Sequence, residues 1–195
     1  LFLHDGRHEA RRTDRAEKVD IHSLAPIVVG AAAFACGLIV ASHKPISPRL
    51  KQTISDMEQT LACTLDWQQV TISLTPQSAE ALAELQTHWT GQAAHVAHAL
   101  RRFLALQLSM HLFPFAGLGG DAAERITFIG VRFATVKLAL AAASKQHGVL
   151  SEDEIIRVIQ SLSRFLDHLG EAEFSLSIYR ETGWVKESRL LGLIA

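Results

Sequence analysis

Two cysteines in 195 residues, Cys36 and Cys63, are too few and too far apart to build a disulfide framework. No CxxC or CxxH pair occurs, so the ligand spacing of a structural zinc site is missing too. An excess of either charge is also lacking: 19 Lys and Arg stand against 20 Asp and Glu, a formal net charge of −1, and no basic run is set apart. That excludes a surface built to follow nucleic-acid phosphates. There is no internal repeat, no low-complexity linker and no Gly-x-Ser-x-Gly elbow. Leu118-Gly119-Gly120 lacks both the Lys-Ser/Thr pair of a P-loop and a preceding strand, which leaves it a hinge between helices. What the chain does have is apolar matter. At 48% aliphatic, aromatic and cysteine residues and 20% charged, it has enough for a core and is no disordered chain. Its length fits one ordinary domain or two small ones, and its cysteine usage fits a reduced, intracellular setting.

Glycine and proline fall almost wholly at joints between periodic segments, the punctuation of an all-α protein. Ser47-Pro48 and Thr75-Pro76 are helix starts, with a hydroxyl at the N-cap and proline at the first helical position. Leu50, Ile54, Met57 and Leu61 put one apolar face on the first of these helices. The second is long, running to about Leu112 with a possible bend at Gly91, and Pro114 ends it. Asp121-Ala-Ala-Glu124 and Ser151-Glu-Asp-Glu154 are capping boxes, and Gly148 and Gly170 stand where left-handed C-caps belong. The spacing therefore predicts helices over 122–147 and 152–169, with shorter ones near 171–181 and 185–194. The expected architecture is an irregular multi-helix bundle with at most one short strand, near 67–74, where Val70, Ile72 and Leu74 alternate weakly. Residues 1–22 read as a charged, exposed N-terminal helix and 23–195 as a single helical domain.

Ser23 to Ser42 is a run of twenty residues without a charge. By length and hydropathy it is able to span a bilayer, and Ala33 and Gly37 supply a small-xxx-small pair. The competing reading is a buried central helix with Pro26 in its first turn, and the amphipathic helices that follow favour it. The run is not a signal peptide, since the charged stretch before it is too long and too acidic.

Among ten histidines, His88 and His95 share a helix face with Glu84, yet they lack the HExxH spacing of a helical zinc site, and no metal is expected. Cys36 sits in the apolar run, where a thiol stays protonated, and Cys63 has no histidine close in sequence. Arg132, Lys137, Arg157 and Arg164 interrupt mostly apolar helices. Over 126–142 apolar residues occupy most sides, so the cations there must snorkel or find partners. Asp153, Glu154 and Asp167 are the expected partners, and structural pairing is favoured over ligand binding.

The second half carries a resemblance. The run Leu112-Phe-Pro-Phe115, then Arg132-Phe-Ala-Thr-Val-Lys-Leu-Ala-Leu140, then Leu150-Ser-Glu-Asp-Glu-Ile-Ile-Arg-Val-Ile-Gln-Ser-Leu-Ser-Arg164 with Asp167-His168, resembles the C-terminal region of the flagellin lysine N-methylase family over roughly residues 95–170. The resemblance implies a cytoplasmic bacterial enzyme that methylates lysine side chains of flagellin with S-adenosylmethionine and an iron–sulfur cluster. In that family the cluster cysteines belong to a Cys-rich N-terminal half. Cys36 and Cys63 are in no such motif, so no cluster ligand carries over. With Leu1 in place of an initiator Met, the expectation is a C-terminal part of a longer protein, inactive alone; a relative that lost the Cys-rich half is the other possibility. Arg132, Lys137, Arg164 and His168 are the positions that the resemblance turns toward substrate or cofactor. Two other classes stay open: a non-enzymatic all-α binding module, and a protein held in the inner membrane through 23–42.

Overall fold

The computed structural model describes residues 24, 28–32, 35–36, 46–62, 64–66, 71–73, 76–111, 121–166, 172–181 and 183–185. The charged segment 1–22, Cys63, the Phe113-Pro-Phe115 stop, Gly170, Asp167-His168 and the helix expected at 185–194 (beyond Val185) lie outside them.

The fold is all-α, and its centre is the helix introduced by the first capping box. Asp121 accepts from the backbone of Glu124 while Glu124 accepts from the backbone of Asp121, both at 2.9 Å. Each side chain thus satisfies an N–H that the first turn leaves without an intrahelical partner. The helix so started, α3 (Ala122–His147), follows α1 (Pro48–Leu61) and α2 (Pro76–His111) and precedes α4 (Glu152–Leu166) and α5 (Ala172–Glu181). Every residue from Thr127 to Ser144 is buried. The others close around it: α3 packs against α1, α2, α4 and α5. Ala134, Ala139 and Ala141 to Ala143 keep that approach close, and the buried hydroxyls of Thr127 and Thr135 bond back to Ala123 and Val131 carbonyls at 2.8 and 2.7 Å.

By length and composition α3 is able to cross a membrane, but 94% of its apolar window is buried among the other helices. The sequence pointed instead to 23–42 as the membrane candidate. Of the described residues of that run, Leu24, Val28, Val29, Ala31, Ala32, Ala35 and Cys36 are buried in the same core and Gly30 is half-buried, as the favoured buried-helix reading expected. The Leu24 N–H donates to the side-chain oxygen of Gln86 on α2, and the Trp184 ring lies over Gly30, leaving a Cβ there in van der Waals contact at 3.5 Å.

The outer helices form as their patterns require. Ser47 accepts from the Leu50 N–H at 3.2 Å with Pro48 behind it, and Leu50, Ile54, Met57 and Leu61 of α1 are buried. α2 runs through Gly91 without interruption for 36 residues, about 54 Å, and buries Leu85, Trp89, Ala93, Val96, Leu100 and Phe103. α4 buries Ile155, Leu162 and Leu166, one stripe of a helix otherwise exposed or half-exposed.

Two expectations need correction. The weakly alternating segment is not one strand but half of a hairpin: β1 (Thr64–Asp66) pairs antiparallel with β2 (Thr71–Ser73), Leu65 opposite Ile72. Strands of three residues are too short to show a period, and only their pairing defines them. Gly148 has φ +86° and ψ −152°, outside the left-handed helical region, while among the described residues Ala62 (φ 47°, ψ 37°) is a left-handed C-cap with no sequence signal for it.

Candidate functional site

Arg132 and Lys137 sit in the middle of α3, with 5% and 1% of their surface exposed. Arg132 does not use the acids of α4. Its Nη2 donates to the Leu166 carbonyl at 2.6 Å and its Nη1 to Oε1 of buried Gln107 at 3.3 Å, while the guanidinium lies 3.8 Å from the centroid of Phe128. Leu166 is the last described residue of α4, so this bond ties α3 to the C-terminal turn of the described part of that helix. Phe128 in turn meets Tyr179 edge-on at 6.4 Å, and burial pushes the Tyr179 hydroxyl up to about 12, against a smaller opposing effect of Arg132. Lys137 holds its ammonium 5.9 Å from the Phe133 ring. Of the expected acids, Asp153 stands 4.0 Å from Arg157 and Glu154 closes the box with Ser151, while Asp167 lies outside the described residues.

The histidines of α2 also act as ties. His88 bonds Ser144 Oγ at 2.8 Å, His95 bonds the Leu150 carbonyl at 2.7 Å, and Glu84 faces Lys145 at 3.7 Å. Their shared helix face meets three different partners at the end of α3 and the turn into α4. Among the described residues no group of three metal-ligating side chains converges.

Arg164 is placed differently. It lines an open groove of about 1060 Å³ between the start of α1 and the outer face of α4. Ile46, Ser47, Pro48 and Arg49 form one wall; Arg157, Gln160, Ser161, Ser163, Arg164 and Phe165 form the other. Positions 157, 160, 161 and 164 fall on one stripe of α4, turned away from Ile155, Leu162 and Leu166. The helices are held together beneath it, where Thr53 Oγ1 meets Ser161 Oγ at 3.4 Å. A smaller pocket of about 220 Å³ adjoins it and contains Asp56 and His147. Asp56 accepts from Gln52 at 2.8 Å and pairs with His147 at 3.2 Å, and Gln146 donates to Thr60 at 3.0 Å, so the end of α3 is fastened to α1 twice.

Of the four positions singled out in the sequence, two are therefore inside the core, Arg164 is on the groove, and His168 lies outside the described residues. Arg49 was missed, although it directly follows the Ser47-Pro48 helix start. So was the seven-residue spacing of Arg157 and Arg164, which places both on one α4 stripe.

The class defined by these features is an all-α domain with a buried central helix and an arginine-lined groove on one side. The profile of the FliB lysine N-methylase C-terminal domain matches residues 32–179, and the chain belongs to that family. The match begins well before the stretch that carried the resemblance, taking in the end of the apolar run, α1 and the hairpin. No curated protein and no solved structure matches the chain.

Proposed function

We propose that this chain is the helical C-terminal domain of an enzyme that transfers methyl groups from S-adenosylmethionine to lysine side chains of flagellin, and that it serves the protein-substrate side of the site. The observation that carries this reading is the family profile over 32–179, which spans α1 to α4 and all but the last residues of α5. The amine that receives a methyl group must be unprotonated, so the complete site has to lower the pKa of a substrate lysine, by desolvation or by nearby positive charge. Arg164 is the sequence-selected cation that stands open to a substrate; Arg132 and Lys137 are enclosed in packing.

An iron–sulfur cluster, which the resemblance implies, does not fit the residues present. Cys36 is buried in the apolar core, and the donor set offers one other thiol in the whole chain, 27 positions on. We assign the cluster to a Cys-rich half outside this chain. Cytoplasmic location belongs to the same proposal, supported by the burial of the described part of 23–42.

The test uses the whole enzyme, Cys-rich half included, with flagellin and S-adenosylmethionine, and reads lysine methylation by mass spectrometry. Methylation that disappears when 32–179 is deleted and survives in Arg132→Lys supports the reading. Unchanged methylation after the deletion overturns it.

A further inference from the structure

We propose that the groove between α1 and α4 binds an extended, acidic segment of polypeptide. The chain as a whole is balanced in charge, with 19 basic and 20 acidic residues, yet three arginines and no carboxylate are among the ten described residues that line this groove. Arg157 has an exposed contact at 4.0 Å with Asp153 and a minor electrostatic pull on Glu154, both on its own helix, the kind of surface pairing worth little in water. The acids of the adjoining pocket are occupied: Asp56 by Gln52 and His147, Glu154 by Ser151. Among the described residues, then, no carboxylate lines the groove to neutralise these guanidinium groups.

Shape and spacing favour a polypeptide over a small anion. At about 1060 Å³ the open groove stands at the upper end of the roughly 300–1,000 Å³ of small-molecule pockets, far larger than a single small anion needs. Arg157 and Arg164 are seven residues apart on α4, which separates their Cα atoms by about 10 Å along the axis, the rise of roughly three residues of extended chain. Arg49 stands on the opposite wall, and Ile46, Pro48 and Phe165 offer apolar surface between the charges. Carboxylates along an extended segment would meet arginine forks, which pair with them two-pronged.

Such a segment belongs to the protein substrate of the proposed methylase, so the inference deepens that reading. Binding is measured without methyl transfer, and the two are able to fail separately. The probe is a fluorescein-labelled peptide of about eight residues with glutamate at alternate positions, titrated with the 195-residue chain by fluorescence anisotropy. A second peptide has glutamine at the same places. The Glu peptide is expected to bind, to weaken between roughly 50 and 300 mM salt, and to weaken roughly tenfold in the Arg49→Ala/Arg164→Ala double variant. Both arginines are exposed, so that variant keeps its far-UV circular dichroism and melting temperature. The Gln peptide binding as tightly as the Glu peptide, or the double variant binding as the parent does, overturns the proposal. Inorganic phosphate displacing the peptide at the peptide's own concentration overturns it in favour of a small-anion site.

Discussion

The Arg132 guanidinium on α3 donates to the carbonyl of Leu166, the residue that ends α4, at 2.6 Å, and in doing so joins three helices through one side chain. Replacing it with methionine keeps most of the apolar stem but leaves the Gln107 side-chain oxygen and the Leu166 carbonyl without that donor. The expected loss is about 2–6 kcal/mol of unfolding free energy, from two buried acceptors each costing roughly 1–3 kcal/mol. Urea unfolding of Arg132→Met checks it. In the whole enzyme the same variant, assayed as folded protein, is expected to keep its KM for the protein substrate, because the side chain meets none of the groove.

Glu124 gives the domain an acid-sensitive joint. It closes the capping box of α3 and receives Nη2 of Arg180 on α5 at 2.8 Å and Nε as well. The Arg180 hydrogen bonds hold its carboxyl below the ordinary value of 4.5, against the opposing effect of burial. A carboxyl depressed in the folded state contributes stability that is present above pH 4.5 and is lost as pH falls through its lower folded value. Glu124→Gln is expected to lower stability at pH 7 and to flatten the acid limb of a melting-temperature profile below pH 4.5. An acid limb as steep as the parent's counts against this account.

Tyr179 sets the alkaline limb. Its hydroxyl is pushed from 10 up to about 12 by burial, so the contribution is full below pH 10 and drains away as pH rises toward 12. Two pH units correspond to about 3 kcal/mol at most. Tyr179→Phe is expected to keep the fold and to unfold with a shallower dependence on pH above 10, read by fluorescence of the buried tryptophans.

Two helix ends with positive φ, at Ala62 and Gly148, respond oppositely to substitution. Ala62 occupies the left-handed region at φ 47°, ψ 37°, where a Cβ costs energy that glycine avoids; its own side chain is exposed, so Ala62→Gly removes no packing. A gain of about 0.5–1 kcal/mol is expected after the added freedom of the unfolded chain is counted. Gly148, at φ +86° and ψ −152°, lies in a region open essentially to glycine alone, and Gly148→Ala is expected to cost about 1–3 kcal/mol although nothing obstructs the new methyl group. Paired thermal melts decide both.

The arginine groove makes a kinetic prediction for the whole enzyme. Arg164→Ala is expected to raise KM for the protein substrate several-fold with kcat nearly unchanged, the mark of uniform binding lost rather than of transition-state stabilisation lost. A fall in kcat at constant KM would place Arg164 in the chemistry instead.

The residues that were legible in sequence are those whose partners lie within one helical turn. Asp121 with Glu124 and Ser151 with Glu154 fixed the starts of α3 and α4, and Pro48 and Pro76 those of α1 and α2, because the groups that satisfy a helix end are supplied three or four residues away. The apolar face of α1 and the nearly unbroken burial of α3 followed from residue spacing and hydropathy in the same way. Only the tertiary structure decided that Arg132 reaches the Leu166 carbonyl and Gln107, that Asp56 meets His147 from 91 residues away, and that β1 has β2 for a partner. It alone decided, too, that Arg49 faces Arg157 and Arg164 across a groove. Those pairings depend on which helix faces meet when a shared apolar core is closed. Burial is non-directional, so a hydrophobic pattern says that a face must be covered but not by what; the polar groups carried to the seams then bond whatever the packing brings within reach.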